Sequence, residues 1–355
     1  MAGLAGPSAL STLNPGIFVD LNQVSFHVTT MGAASLGTQG GNSRLLADVR
    51  PAAFNVAAPL PFGTRVFGGI NQKFSQDFDM WSESLADTAY RRHIVGRGGI
   101  YALRAGLAKS LFGKVCVGAE FGHILGGSRE NWRFELDNGG YTSTDTIETD
   151  YLGNTFKVGG SYQSRVFSLA GYYEPSLNLK ATRYKRVHGV IQDSVRKYAL
   201  SLPYSVFFAG SVNPTNRLGF DVGLTLYPWS SATITRNTVS SLGYKNVWRG
   251  SIGAEYEIDS LHPVRVGYSR QTWYYGAASF ETDSTTHLPV LVPVPITENG
   301  IHLGTSVPIP SFGSLDISGE VLLRHSPVMD EVAGRLMLTL SYSEAWARRT
   351  RRWGY

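Results

Sequence analysis

The chain has 355 residues, 40 of them glycine, with 12% aromatics. That balance favours many strands joined by tight turns over helices, and no Pro/Ser-rich linker or charge block marks a seam between domains. A mean hydropathy of -0.09, with no apolar window of about 18 residues, excludes helical membrane spans. The net charge of +5 gathers in Arg348, Arg349, Arg351 and Arg352 rather than on a basic face with stacking aromatics, so no nucleic-acid partner is expected. The single cysteine, Cys116, excludes an internal disulfide and a cysteine-based metal cluster.

Near-neutral hydropathy is compatible with a membrane β-barrel, whose strands alternate lipid-facing apolar and lumen-facing polar residues and so average out. Taken in chain order, residues 1–17 come first, rich in small residues and ending in Asn14-Pro15-Gly16. Period-two alternation then predicts strands over 18–31, 43–58, 63–80, 97–109, 114–125, 154–164, 166–179, 196–210, 216–230, 245–258, 263–274, 297–309, 312–325 and 334–343. In 114–123 the outward set is Val115, Val117, Ala119 and Phe121, and the inward set Cys116, Gly118, Glu120 and Gly122. In 216–228 it is Phe220, Val222, Leu224 and Leu226 against Gly219, Asp221, Gly223 and Thr225.

Short connections follow even strands (59–61, 110–113, 163–165, 212–215, 259–262) and long ones follow odd strands, including the acidic stretch 126–153 and the apolar-containing 275–296. The expected fold is therefore all-β: a transmembrane antiparallel barrel of about fourteen strands over 18–343, with short periplasmic turns, long extracellular loops and an N-terminal luminal segment. A propeller would need blade repeats of about 40 to 50 residues, and the sequence has none.

Hairpin geometry makes the reading stricter, because a wrong register would turn charges toward lipid. A turn centred near Phe112 puts Arg104 opposite Glu120 and Leu103 opposite Phe121. One near Ser260 puts Glu255 opposite Arg265 and Tyr256 opposite Val264. One near Phe312 and Gly313 leaves Glu320 close to His302. Phe78, Trp81, Tyr101, Tyr227, Trp229, Trp248, Tyr268 and Trp273 fall near strand ends, as an interfacial girdle would.

No catalytic signature is present: neither a G-x-S-x-G elbow, nor H-E-x-x-H, nor a phosphate loop. His27, His93 and His123 are scattered, and pairing one with a serine across the lumen would need only chance. No enzyme activity, cofactor or metal is expected. Lys73, Arg104, Glu120, Lys157, Asp221, Arg249, Glu255, Arg265, Asp316 and Glu320 point inward, with His302 beside Glu320. Such charges either pair to satisfy one another in a hydrated interior or line a polar path for a ligand.

The opening Gly6-Pro7-Ser8-Ala9-Leu10-Ser11-Thr12-Leu13-Asn14-Pro15-Gly16-Ile17 resembles the segment before strand one in the FadL-like outer-membrane transport family, and Met1-Ala2-Gly3-Leu4-Ala5 resembles the stretch preceding it. The stretch 343–353 after the last strand is similar to that of PorV-like relatives. The resemblance implies a luminal hatch containing Asn14, Pro15 and Gly16. It also implies passive uptake of a small hydrophobic compound, fatty-acid-like or aromatic, through the barrel wall, without cofactor. The alternative it implies is a PorV-like barrel that docks secreted or surface proteins, or a structural barrel.

Two features depart from the family: the N-terminus is short for a full hatch, and the third loop lacks an apolar helical pair. The expected setting is the outer membrane of a Gram-negative-type bacterium, among lipid and lipopolysaccharide, with a basic periplasmic tail at 344–355; the oligomeric state stays open. The first residues have neither a basic n-region nor an apolar core, so residue 1 is expected not to be the natural start of the exported protein.

Overall fold

The computed structural model describes residues 14–15, 24–39, 42–84, 90–136, 142–187, 190–191, 196–236, 238–241, 244–259, 262–273, 277–282, 289–310 and 312–344. Fourteen strands run up and down around one closed wall. They are β1 (Val24–Gln39), β2 (Asn42–Leu60), β3 (Thr64–Ser75, continued by Phe78–Ser84), β4 (Tyr90–Leu111), β5 (Val115–Leu136), β6 (Thr142–Gln163) and β7 (Phe167–Glu174, continued by Leu177–Val187), then β8 (Arg196–Leu202, continued by Ser205–Val212), β9 (Leu218–Tyr227), β10 (Val247–Glu257), β11 (Pro263–Thr272), β12 (Thr297–Ile309), β13 (Gly313–Ser326) and β14 (Met329–Glu344). Closure comes from the β14–β1 ladder, Glu344 opposite Val24 through Asp330 opposite Thr38. A closed barrel has no unpaired edge, which is what lets strands cross a hydrocarbon layer. Among the described residues no helix is long and apolar enough to cross a membrane.

Every predicted strand has its counterpart. At the turn end, β2 joins β3 through Pro61–Gly63, and β4 joins β5 through three turn residues, 112–114. At the opposite, loop end the reading of long loops is corrected. The acidic stretch 126–153 is mostly ladder, β5 pairing with β6 from Val115 opposite Tyr162 to Glu135 opposite Thr142. Beyond the lipid the outer face of the sheet meets water instead of acyl chains, so the outward apolar alternation fades while backbone pairing continues. Side chains there satisfy each other instead: Arg129 lies 3.7 Å from Glu148, as does Arg186. The stretch 275–296 holds a separate two-stranded hairpin, Ala277–Thr282 with Pro289–Val294.

One register is also corrected. Arg104 stands opposite Gly122 and Leu103 opposite His123, because the ladder closes with Leu111 opposite Val115 and pivots on Gly113 rather than Phe112. Moving the pivot by one residue moves each partner by two, which keeps every side chain on its face. Glu255 opposite Arg265, Tyr256 opposite Val264, and His302 opposite Glu320 stand as the alternation requires.

Two strands deviate from regularity. The β2–β3 ladder runs only from Ala53 opposite Asn71 to Leu60 opposite Thr64. Above it β3 bulges between Gln72 and Phe74 in its pairing with β4, so the loop-end half of β2 separates from β3. Arg50 of β2 reaches across this break to Ser75, 3.0 Å away, and to Asp77. The other deviation is in β7 and β8, which break together at Pro175 and Pro203, residues that cannot donate to a ladder.

Candidate functional site

The lumen divides into a charged belt and an apolar wall. In the belt, Arg104 donates to Glu120 at 3.0 Å and to Asn55 Oδ1 at 2.7 Å. Lys157 Nζ approaches Glu120 at 3.8 Å and lies 4.9 Å from the Tyr172 ring. Lys73, the bulged residue of β3, pairs with Glu174 of β7, which also accepts from Thr155. Because β3 and β7 are not neighbours in the wall, this pair spans the lumen. Each of these inward charges therefore has a counter-charge, as a low-dielectric interior demands.

Around the barrel, Arg265 donates to Glu255 and to Ser306, and its Nη1 is 3.8 Å from Asp316. Glu320 accepts from Arg335 at 2.6 Å and lies 3.2 Å from His302 Nδ1, whose Nε2 meets Ser269 Oγ at 2.8 Å. Asp221 is brought into none of these groups, and its Oδ2 lacks a hydrogen-bond partner among the described residues. Sequence reasoning missed a further cluster: Arg324 bridges Glu298 and Glu331 at 2.6 and 2.8 Å and lies 4.4 Å from the Trp273 ring. His123 is exposed on the outer face beside Asn154. His27 faces the lumen and bonds Ser341 at 2.9 Å.

Of the N-terminal residues, Asn14 and Pro15 lie inside the barrel and are buried. The Asn14 amide donates to the carbonyls of Gly160 and Gly171, both at 3.1 Å, which fastens it to the β6–β7 seam. Gly159 faces it, and a Cβ there would collide with Asn14 Oδ1. Gly16, most of 1–17 and the tail beyond Glu344 lie outside the described residues.

Above the belt the inner wall turns apolar. Ile100, Ala102, Ile124, Tyr151, Leu177, Leu179 and Ala181 form one buried cluster, with Phe74, Tyr198, Leu200 and Leu202 packed against it. Strand β7 shows the cause most plainly. Before Pro175, Phe167, Leu169 and Tyr173 face outward; after it, Leu177, Leu179 and Ala181 face inward while Asn178 and Lys180 are exposed. Polarity thus inverts where the strand leaves the lipid. The apolar residues keep the odd positions on both sides of Pro175, so the sequence alternation runs on without a change of phase and the break in the backbone turns the face over; the double-sided apolar run Ile100-Tyr101-Ala102-Leu103 is the signal the sequence does carry. A water-facing outer surface with an apolar inner one makes the β4–β8 side of the loop-end half greasy within, facing the Arg324, Glu298 and Glu331 cluster on the β12–β14 side.

No protein-family model matches the sequence, and neither does any curated protein. Solved structures do match over nearly the whole chain. The Pseudomonas putida toluene transporter TodX is 13% identical, covering 95% of this chain and 93% of that one, with a TM-score of 0.62. A Pseudomonas aeruginosa FadL homologue is 12% identical over 95% and 94%, with a TM-score of 0.65. The Ralstonia pickettii toluene transporter TbuX is 13% identical over 95% and 93%, with a TM-score of 0.61. At such identities the likeness speaks for architecture, and it agrees with the strand count and the closure: the chain has the fold of a FadL-like outer-membrane barrel.

Proposed function

We propose that this barrel takes up small, largely hydrophobic compounds passively across the outer membrane of a Gram-negative-type bacterium, with its loop end outside and its turn end in the periplasm. The observation that carries the reading is the apolar inner wall centred on Ile124, Leu177 and Leu179. An aqueous pore has no use for a greasy lining, which leaves water poorly hydrogen-bonded, whereas an apolar solute gains by leaving water there. The charged belt below it disfavours straight passage of such a solute. The break between β2 and β3 supports sideways release into the wall, and Arg50 spans that break. Structural neighbours described as toluene transporters and monoaromatic hydrocarbon channels fit the same class of cargo.

The test is uptake of a radiolabelled monoaromatic or long-chain fatty acid by cells producing the barrel, compared with Leu179→Asp and Ile124→Asp variants. Each substitution sets a carboxylate in the apolar wall. Uptake should fall about tenfold or more while the variants still assemble as heat-modifiable barrels, since an unpaired charge beside an apolar ligand costs more than 1.4 kcal/mol. Undiminished uptake in both variants would count against the reading.

A further inference from the structure

Two turns break a conformational rule in the same way. Among the described residues, Phe62 and Phe112 alone have positive φ without being glycine, at 62° and 53°. Each precedes a glycine of positive φ, Gly63 at 66° and Gly113 at 69°. In the first, the Thr64 N–H closes on the Pro61 carbonyl. This is the backbone of a type I′ turn, where Asn-Gly fits without strain and a bulky ring does not. Both phenylalanines are nevertheless almost wholly exposed, at 90% and 95%, so neither ring repays its strain by packing inside the protein.

The tips are neighbours, since Thr64 of β3 pairs with Lys109 of β4. They also continue the lipid-facing surface. Leu60, Val66, Leu107 and Val117 face outward, exposed, right up to the turns. On β4 the stretch from Tyr101 to Leu111, at about 3.3 Å per residue and a tilt of about 40°, rises roughly 25 Å, the full height of a barrel's apolar band. Lys109 faces outward too, two residues before the strand ends, so the lower edge of the band lies at the turn end. The rings therefore sit at the boundary between acyl chains and headgroups, flanked by the exposed Lys109 and Lys114. Aromatic rings favour that depth, and lysines there meet anionic headgroups.

We infer that Phe62 and Phe112 are a paired membrane anchor at the turn end, holding the barrel's depth in the adjoining leaflet, with Lys109 and Lys114 selecting anionic phospholipid. The strained turns persist because rings at these positions gain in the membrane more than Asn would.

Two measurements on the full chain test this. In the first, a Phe62→Asn/Phe112→Asn variant is unfolded with urea from phosphatidylglycerol-containing vesicles and from uncharged detergent micelles. Unfolding from vesicles should speed up by about tenfold, the scale expected for two partly buried aromatic rings, while stability in micelles holds or rises because Asn-Gly suits the turn. Adding Lys109→Glu and Lys114→Glu should abolish any preference for phosphatidylglycerol over phosphatidylcholine. A variant as stable as its parent in both settings overturns the anchor and leaves the tips free for a soluble partner. In the second, a spin label is placed by Phe112→Cys in a Cys116→Ser background, which needs no stability comparison. It should relax more with oxygen than with an aqueous nickel chelate; the reverse order overturns the inference.

Discussion

Glu120 is 3% exposed and serves two cations, Arg104 and Lys157. Deleting it leaves both without their shared carboxylate in a confined interior. Glu120→Ala should therefore cost roughly 3 kcal/mol of barrel stability, the low end for a broken buried pair because the lumen admits water. Urea titration of the vesicle-embedded barrel measures it. Arg104→Ala added to that variant should cost much less than on its own, since the two act on one network. The face of each of these charges was legible in the sequence, because period two assigns faces by parity alone. Their partners were legible only where a hairpin joined them, as for Glu255 and Arg265. Lys73 and Glu174 meet across the lumen, and no local pattern encodes a chord of a closed wall.

At the scale of elements, the long β4–β5 hairpin is shaped by a pair of glycines. Gly98 and Gly126 have φ of 137° and 134°, and a Cβ on either would collide with backbone across the ladder, at Gly127 and Gly99 respectively. Gly126→Val combines that collision with a backbone conformation L-residues avoid. It should destabilise the barrel by about 2 kcal/mol or more and lower the yield of the compact, heat-modifiable form seen by cold gel electrophoresis. Strand existence was readable from alternation throughout, whereas strand length was not. The lipid enforces the pattern only within its own thickness, so the ladder beyond, including most of 126–153, reads like loop. The alternation through Leu177, Leu179 and Ala181 keeps its parity across Pro175, so their turn to the inner face is invisible in the sequence; only the double-sided apolar run Ile100-Tyr101-Ala102-Leu103 hints at the wall on which the proposed function rests.

For the whole molecule, a fourteen-stranded tube is too wide for its own side chains to fill, and Asn14 is the described link between the N-terminal segment and the wall. Asn14→Ala removes two hydrogen bonds to Gly160 and Gly171, and Gly159→Ala puts a methyl where the amide sits. Both variants should loosen the segment and raise single-channel conductance several-fold in planar bilayers; unchanged conductance would show that the lumen is sealed elsewhere. The sequence by itself determined the class of fold, the number of strands and the faces of the residues within the lipid band, because alternation against lipid is a local, repeated constraint. Only the tertiary structure decided which charges meet across the lumen, where β3 leaves β2, and that the loop-end interior is apolar on its β4–β8 side. Those features arise from closure, a bulge and two opposed prolines, which set distances between residues far apart in the chain.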